Sequence, residues 1–302
     1  MNESQTLYLT ISLNPVIQRT LMLPDLTENE VNRSSDYRVD ASGKGINVTR
    51  VLQQLGEPVM HLTQAGGHFR DYFLHLAEED NLHVSWVESH SDIRMCTTLI
   101  NKSRNTATEI VEEARPVKDG TEERIRRQFH QLIDETGVLI LSGSKAPGFS
   151  DDLFPVMVEK AKSKGCRVIL DYRGPDLINS LPFKPDIIKP NFKEFVNTFF
   201  PEMVPDYIST DIIRNKMLGL AKQGIITILT RGPDQILYVD RDSICTKSPP
   251  AITPINTIGC GDAFTAGFAS VWTKTDDLEK AVEKGIECAV KNANSKRPGV
   301  IR

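Results

Sequence analysis

The chain has 302 residues, of which 39% are hydrophobic and 25% charged, an average globular mixture that excludes disorder, collagen-like repeats and coiled coil. At this length a large core is available, and either two domains of about 150 residues or one large α/β domain with an insertion is expected. Lys and Arg number 36 against 40 Asp and Glu, a net charge of -4, so no basic field draws the protein to nucleic acid or to an anionic membrane.

Five cysteines, Cys96, Cys166, Cys245, Cys260 and Cys288, are odd in number and form no Cys-x-x-Cys pair, which disfavours a disulfide framework and a structural zinc site. The N-terminal stretch has no basic leader, and no apolar run approaches the roughly 20 residues of a membrane helix. A cytoplasmic protein is the expectation.

In chain order, short apolar runs alternate with helical periodicity. Strands are expected at Leu7–Leu13, Val59–Thr63, Val138–Leu141, Arg167–Asp171, Asp186–Ile188 and Ile226–Thr230. Between and after them, helices are expected at Ile46–Leu55, Phe69–Asn81, Glu122–Ile133, Leu153–Lys164, Ile212–Gln223, Ala263–Trp272 and Leu278–Ala293. Such alternation means parallel strands with crossover helices. Two extended stretches, about 20–42 and 94–113, break the rhythm. Far apart in sequence but alike in character, they are expected to pair into a small β lid over the sheet's edge.

The sharpest local pattern is Asn256-Thr257-Ile258-Gly259-Cys260-Gly261-Asp262-Ala263, a glycine turn running straight into an apolar helix. Glycine permits positive φ and close approach to the backbone. The free N–H groups of Gly259, Cys260 and Gly261 at the positive helix end then make an anion site. Asp262 alone would read as an ordinary helix-start carboxylate. Beside a phosphate-sized nest it becomes the base that phosphoryl transfer to an alcohol requires. The helix terminus is expected to keep it ionised, a weak base that accepts its proton late.

This segment resembles the C-terminal signature of the PfkB, or ribokinase-like, carbohydrate kinases. Ala41-Ser42-Gly43-Lys44-Gly45-Ile46-Asn47 resembles the N-terminal one, about 210 residues upstream. Asn14-Pro15, Arg94 to Cys96, Ser142-Gly143-Ser144, Lys189-Pro190-Asn191 with Glu194, Thr230-Arg231-Gly232 and Asn292-Ala293 extend the likeness over nearly the whole chain. They resemble most the 1-phosphofructokinase and tagatose-6-phosphate kinase branch.

The resemblance implies a single ribokinase-like domain over 1–302, a three-layer sandwich with a mostly parallel central sheet and the β lid. It implies an ATP- and Mg²⁺-dependent kinase of a ketohexose phosphate. Asp262 would be the base, with Gly259, Cys260 and Gly261 around the transferring group. Asn14, Gln18, Gly43, Lys44, Asn47 and Arg94 would bind substrate, Lys44 and Arg94 neutralising its phosphate and Asn47 reaching sugar hydroxyls. Lys189, Asn191, Thr230, Gly232 and Asn292 would meet the nucleotide, and Glu194 would organise Mg²⁺ through water. A homodimer through paired lids is implied as well.

Gln18 stands where the branch usually has Asp, which bears on the choice of sugar. The rival readings are a kinase of an unphosphorylated sugar or nucleoside, which would not need Lys44 and Arg94 together, and a non-catalytic sugar-phosphate sensor, which would not need Asp262 and Glu194.

Overall fold

A computed structural model describes residues 6–302. Its architecture is organised about β1 (Tyr8–Ile11), whose four residues are all buried. On one side β1 pairs in parallel with β4 (Val59–Ala65) and on the other with β8 (Val138–Ser142). Beyond β4 lies β5 (Val84–Glu88). Beyond β8 follow β9 (Arg167–Asp171), β10 (Ile187–Ile188) and β11 (Ile226–Leu229), all parallel. Two antiparallel strands, β12 (Ile236–Asp240) and β13 (Ser243–Lys247), complete a nine-stranded sheet.

Continuous apolar runs such as Val138-Leu139-Ile140-Leu141 suit strands covered on both faces. Leu9, Ile11, Leu139 and Leu141 face one buried cluster, packed beneath α3 (Thr121–Leu132), α4 (Leu153–Ser163), α6 (Phe192–Phe199) and α7 (Thr210–Ala221). Tyr8, Val138 and Ile140 face the other, against α1 (Lys44–Gln54), α8 (Cys260–Thr275) and α9 (Leu278–Ala293). The result is three layers, helix on sheet on helix.

The two extended stretches meet in a second, four-stranded sheet. It consists of β2 (Val16–Leu23), β3 (Asp36–Ser42), β6 (Arg94–Asn101) and β7 (Thr106–Val111), in the order β3-β2-β6-β7. Pairing begins at Val16, four residues before the expected start at Thr20, because the chain leaves β1 through Asn14-Pro15 directly into the second sheet. Ile17, Ala41 and Met95 pack toward Phe73 and Leu76 of α2 (Arg70–Glu79), while β7 is exposed along its whole length.

β5, β12 and β13 are not among the strands expected from the sequence. β5 mixes polar and apolar residues and carries the exposed Trp86 at the sheet's margin. β13 is a short, largely exposed edge. Neither offers a clear period, and β12 gains its identity only from pairing with β11 and β13. The helix α5 (Pro175–Ser180) was also unread, being six residues long.

Candidate active site

Chemistry-bearing residues collect where the parallel strands end, the usual ligand position in an open α/β sheet. The start of α1 is built first. Gly43 caps the helix at φ 113°, a conformation that glycine alone adopts without strain. Gly45 sits so close to the sheet that a Cβ there would lie 2.7 Å from His61 and 2.8 Å from Ser12. Beneath it His61 is fully buried, bonded to Thr10 at 2.8 Å and Ser12 at 3.3 Å. Burial pushes its imidazole down to about 3, so it serves as a neutral wedge under the loop.

Lys44, the first residue of α1, reaches carboxylates from two other elements. Its Nζ stands 3.3 Å from Glu194 on α6 and 3.5 Å from Asp171 at the end of β9. Burial opposes its charge, but Asp171, Glu194 and Asp262 together hold its pKa well above the ordinary lysine value. Asp171 is itself buried, pairs with Lys189 at 3.2 Å and accepts a hydrogen bond from the Thr265 hydroxyl at 2.8 Å. Burial would raise its pKa, yet Lys189 and Lys44 outweigh that and keep it low.

Asp171 and Thr265 are site residues that the motifs of the sequence do not mark. The signal for Asp171 was present: a charged residue closing a buried parallel strand is out of place unless it is paired.

At α8, Gly259 takes the left-handed conformation at φ 79°, and a Cβ there would crowd Pro298, Asn292 and Gly299 at 3.0–3.3 Å. The N–H of Ala263 closes the first helical turn onto Gly259, and that of Cys260 turns back to the Thr257 carbonyl at 3.3 Å. Cys260 is therefore not a free donor as expected; the open first-turn donors are Gly261 and Asp262. The Lys189 ammonium stands 3.8 Å from where a Gly261 side chain would begin.

Asp262 is buried, and its Oδ2 accepts a hydrogen bond from Asn47 Nδ2 at 2.8 Å. Burial is the largest influence on it, with Asp171 adding to the rise while Lys44, Asn47 and Lys189 pull the other way. The carboxyl is pushed up to about 6. This corrects the expectation of a low, late-accepting base: desolvation at the cleft floor outweighs the helix terminus.

The remaining sequence-predicted residues divide. Asn14 donates to Ser144 at 3.2 Å and leaves its buried Oδ1 without a partner. Arg94 donates to the Glu112 carbonyl at 3.2 Å and leaves its buried Nε unpaired. Asn191 and Glu194 form a reciprocal capping box on α6, each bond 2.9 Å, and Thr230 bridges to Asn191. Gly232, at φ 62°, borders open space.

Three others are placed differently from expectation. Gln18 is 2% exposed and donates to Thr98 at 2.8 Å across the second sheet, so its amide is turned into the β layer. Asn292 is fully buried and braces the glycine turn, donating to the Ile258 carbonyl at 2.8 Å and accepting from Gly299 N–H at 2.6 Å. Asn47 is committed to Asp262, Ser42 and Arg50 rather than open to sugar hydroxyls.

A three-layer α/β sandwich with a small second sheet, and a glycine-turn helix start above the strand ends, is the ribokinase-like fold. Comparison with known proteins agrees. Residues 11–299 match the model of the pfkB family carbohydrate kinases, so the chain belongs to that family of ATP-dependent sugar kinases. Among solved structures, it is similar to a protein of Thermotoga maritima described as a possible 1-phosphofructokinase, with a TM-score of 0.87 and 21% identity over 96% of this chain and 93% of that one. It is also similar to phosphofructokinase-2 of Escherichia coli in complex with fructose-6-phosphate, with a TM-score of 0.83 and 21% identity over 96% and 94%.

Proposed function

We propose that this kinase phosphorylates a hydroxyl of a ketohexose phosphate, with Asp262 as the general base. The observation that carries the reading is Asp262 itself: a buried carboxyl pushed up to about 6, at the start of a helix with open N–H donors and with Lys44 nearby. A base that titrates near 6 is ionised at neutral pH yet accepts a proton readily, the compromise proton transfer needs. The acceptor hydroxyl gives its proton to Asp262 as its oxygen bonds to the γ-phosphorus, and the bond to the ADP oxygen breaks.

The N–H groups of Gly261 and Asp262, at the positive end of α8, would face the transferring phosphoryl group, which carries its charge into the transition state. Lys44 and Lys189 supply positive charge there, and Asp171 holds both ammonium groups in place. Lys44 thus serves the transferring group, while Arg94 alone is left for the substrate's own phosphate. The unpaired Arg94 Nε and Asn14 Oδ1, a donor and an acceptor without partners, suit an anionic sugar that fills both.

Asn191, Thr230 and Gly232, at the ends of β10 and β11, border the nucleotide. Glu194, whose side chain is 14% exposed, suits a Mg²⁺ ion that keeps most of its waters, since such an ion needs few protein carboxylates; no cluster of three or more ligating side chains occurs among the described residues. When bound, the ion neutralises charge on the nucleotide's terminal phosphates. The second sheet closes over the acceptor and excludes water. Its exposed β7 edge, with Ile110 and Val111 at 56% and 46%, suits pairing with a second copy. Five free cysteines fit a reducing, cytoplasmic setting.

A coupled ADP-release screen over fructose 1-phosphate, fructose 6-phosphate, tagatose 6-phosphate, ribose and nucleosides tests the assignment. A phosphorylated ketohexose should give the highest kcat/KM. Preference for ribose or a nucleoside would overturn the substrate class, and ligand binding without ADP release would overturn the enzyme.

A further inference from the structure

Arg50 lies on α1, one turn beyond Asn47, with its side chain 5% exposed. A guanidinium carries five N–H donors and no acceptor, and here every donor has an assigned partner. Nε and Nη2 bond Asp80 at 3.1 and 2.9 Å, Nη2 also bonds the Ala41 carbonyl at 2.5 Å, and Nη1 bonds the Pro298 carbonyl at 3.2 Å and Asn47 Oδ1 at 3.1 Å.

The last contact matters most. An amide side chain can present either its oxygen or its NH₂ to a neighbour, and a donor-only group tolerates only the oxygen. Ser42 Oγ donates to the same Oδ1 at 3.2 Å. With the oxygen held on this side, the NH₂ end faces Asp262 Oδ2 at 2.8 Å. Were the amide reversed, its oxygen would confront the carboxylate, and the Arg50 donors would meet an NH₂ group.

We propose that Arg50 is a positioning residue for phosphoryl transfer: it fixes the orientation of the Asn47 amide and thereby the donor that holds the Asp262 carboxylate. The inference rests on the reading of Asp262 as the base. Arg50 touches neither substrate nor nucleotide; its effect passes through one hydrogen bond. The charged groups facing Asp262 are Lys44 from α1, Asp171 from β9 and Lys189 just past β10, and none of them is altered by substitution at 50. Asn47 favours the ionised carboxylate, so releasing it moves the base's titration upward.

The test is kcat against pH for Arg50→Lys, which keeps a charge for Asp80 but has three donors for five acceptor contacts. Expected are a kcat about tenfold lower, an acid limb displaced upward by about half to one pH unit, and KM values for sugar and ATP within about twofold of the parent. Asp80→Asn is the control: it weakens the same ion pair without touching the Asn47 contact, so it should lower the melting temperature and leave the limb in place. If Arg50→Lys does not fold, Asn47→Ser carries the test from the other end, with Arg50 and its ion pair intact and the limb still displaced.

An Arg50→Lys or Asn47→Ser enzyme with an unmoved acid limb overturns the proposal, as does an equal displacement in Asp80→Asn. Failure of the base assignment looks different, since Asp262→Asn would then remain active.

Discussion

Lys44 and Glu194, 150 residues apart, meet at 3.3 Å between α1 and α6, and Asp171 joins them from β9. One ammonium group thus ties the start of α1 to α6, the proposed acceptor and nucleotide sides of the cleft. Substituting Lys44→Met leaves Asp171 and Glu194 without that cation and removes the positive charge that restrains Asp262. The expected outcome is a fall in kcat of about 10²–10³, with the acid limb of the rate profile moved to higher pH. Steady-state kinetics between pH 5 and 9 check both.

Glu194→Gln keeps the shape of the α6 capping box, because a glutamine oxygen still accepts the Asn191 N–H, but it removes the charge offered to a metal. The Mg²⁺ concentration for half-maximal rate should rise about tenfold or more, with the sugar KM little changed. A titration of rate against free Mg²⁺ gives the answer.

Arg94→Ala separates the substrate classes. Loss of a charge-assisted bond of about 1.5–3 kcal/mol raises KM for a phosphorylated acceptor roughly 10- to 100-fold. A neutral sugar should be turned over as before. Equal losses on both acceptors would move Arg94 out of the phosphate subsite.

Much of this was legible in the chain. The alternation of apolar strands and amphipathic helices carries the sheet, and the two glycine motifs mark the helix starts that become the site. What escaped depended on tertiary partners. Asp171 looks like the tail of a strand until Lys44 and Lys189 converge on it. Asn292 and Asn47 look like ligand contacts until burial shows their amides bonded inside the protein. The proton affinity of Asp262 was misread for the same reason: local sequence shows the helix terminus, whereas desolvation belongs to the packed cleft.

Gly45→Ala tests how the start of α1, the proposed substrate loop, is seated. The added methyl would collide with His61 and Ser12, an overpacking of about 1–3 kcal/mol, and would displace Lys44 next to it. Lower thermal stability together with a loss of kcat is the expected pair of readings.

Asp262 also links activity to stability. Its carboxyl titrates near 6 in the folded protein against an ordinary 3.8, so the folded state favours the protonated form. Below about pH 3.8 the group is protonated folded or unfolded and costs nothing; between 3.8 and 6 the folded state loses stability relative to the unfolded one, and above 6 the full cost is present. Asp262→Asn should therefore be more stable than the parent at pH 8, by up to about 3 kcal/mol, and so unfold at a higher temperature there, with little gain at pH 4. Differential scanning calorimetry at the two pH values measures this.

The most direct measurement is the pH dependence of kcat/KM, which reports the groups of the free enzyme, for the parent enzyme and Asp262→Asn. The parent rate should rise through an apparent pKa near 6, and the variant, folded and still binding both substrates, should lose about 10²–10⁴ in rate along with that limb. A parent profile flat across pH 5–7, or a variant within tenfold of the parent, would contradict Asp262 as the base.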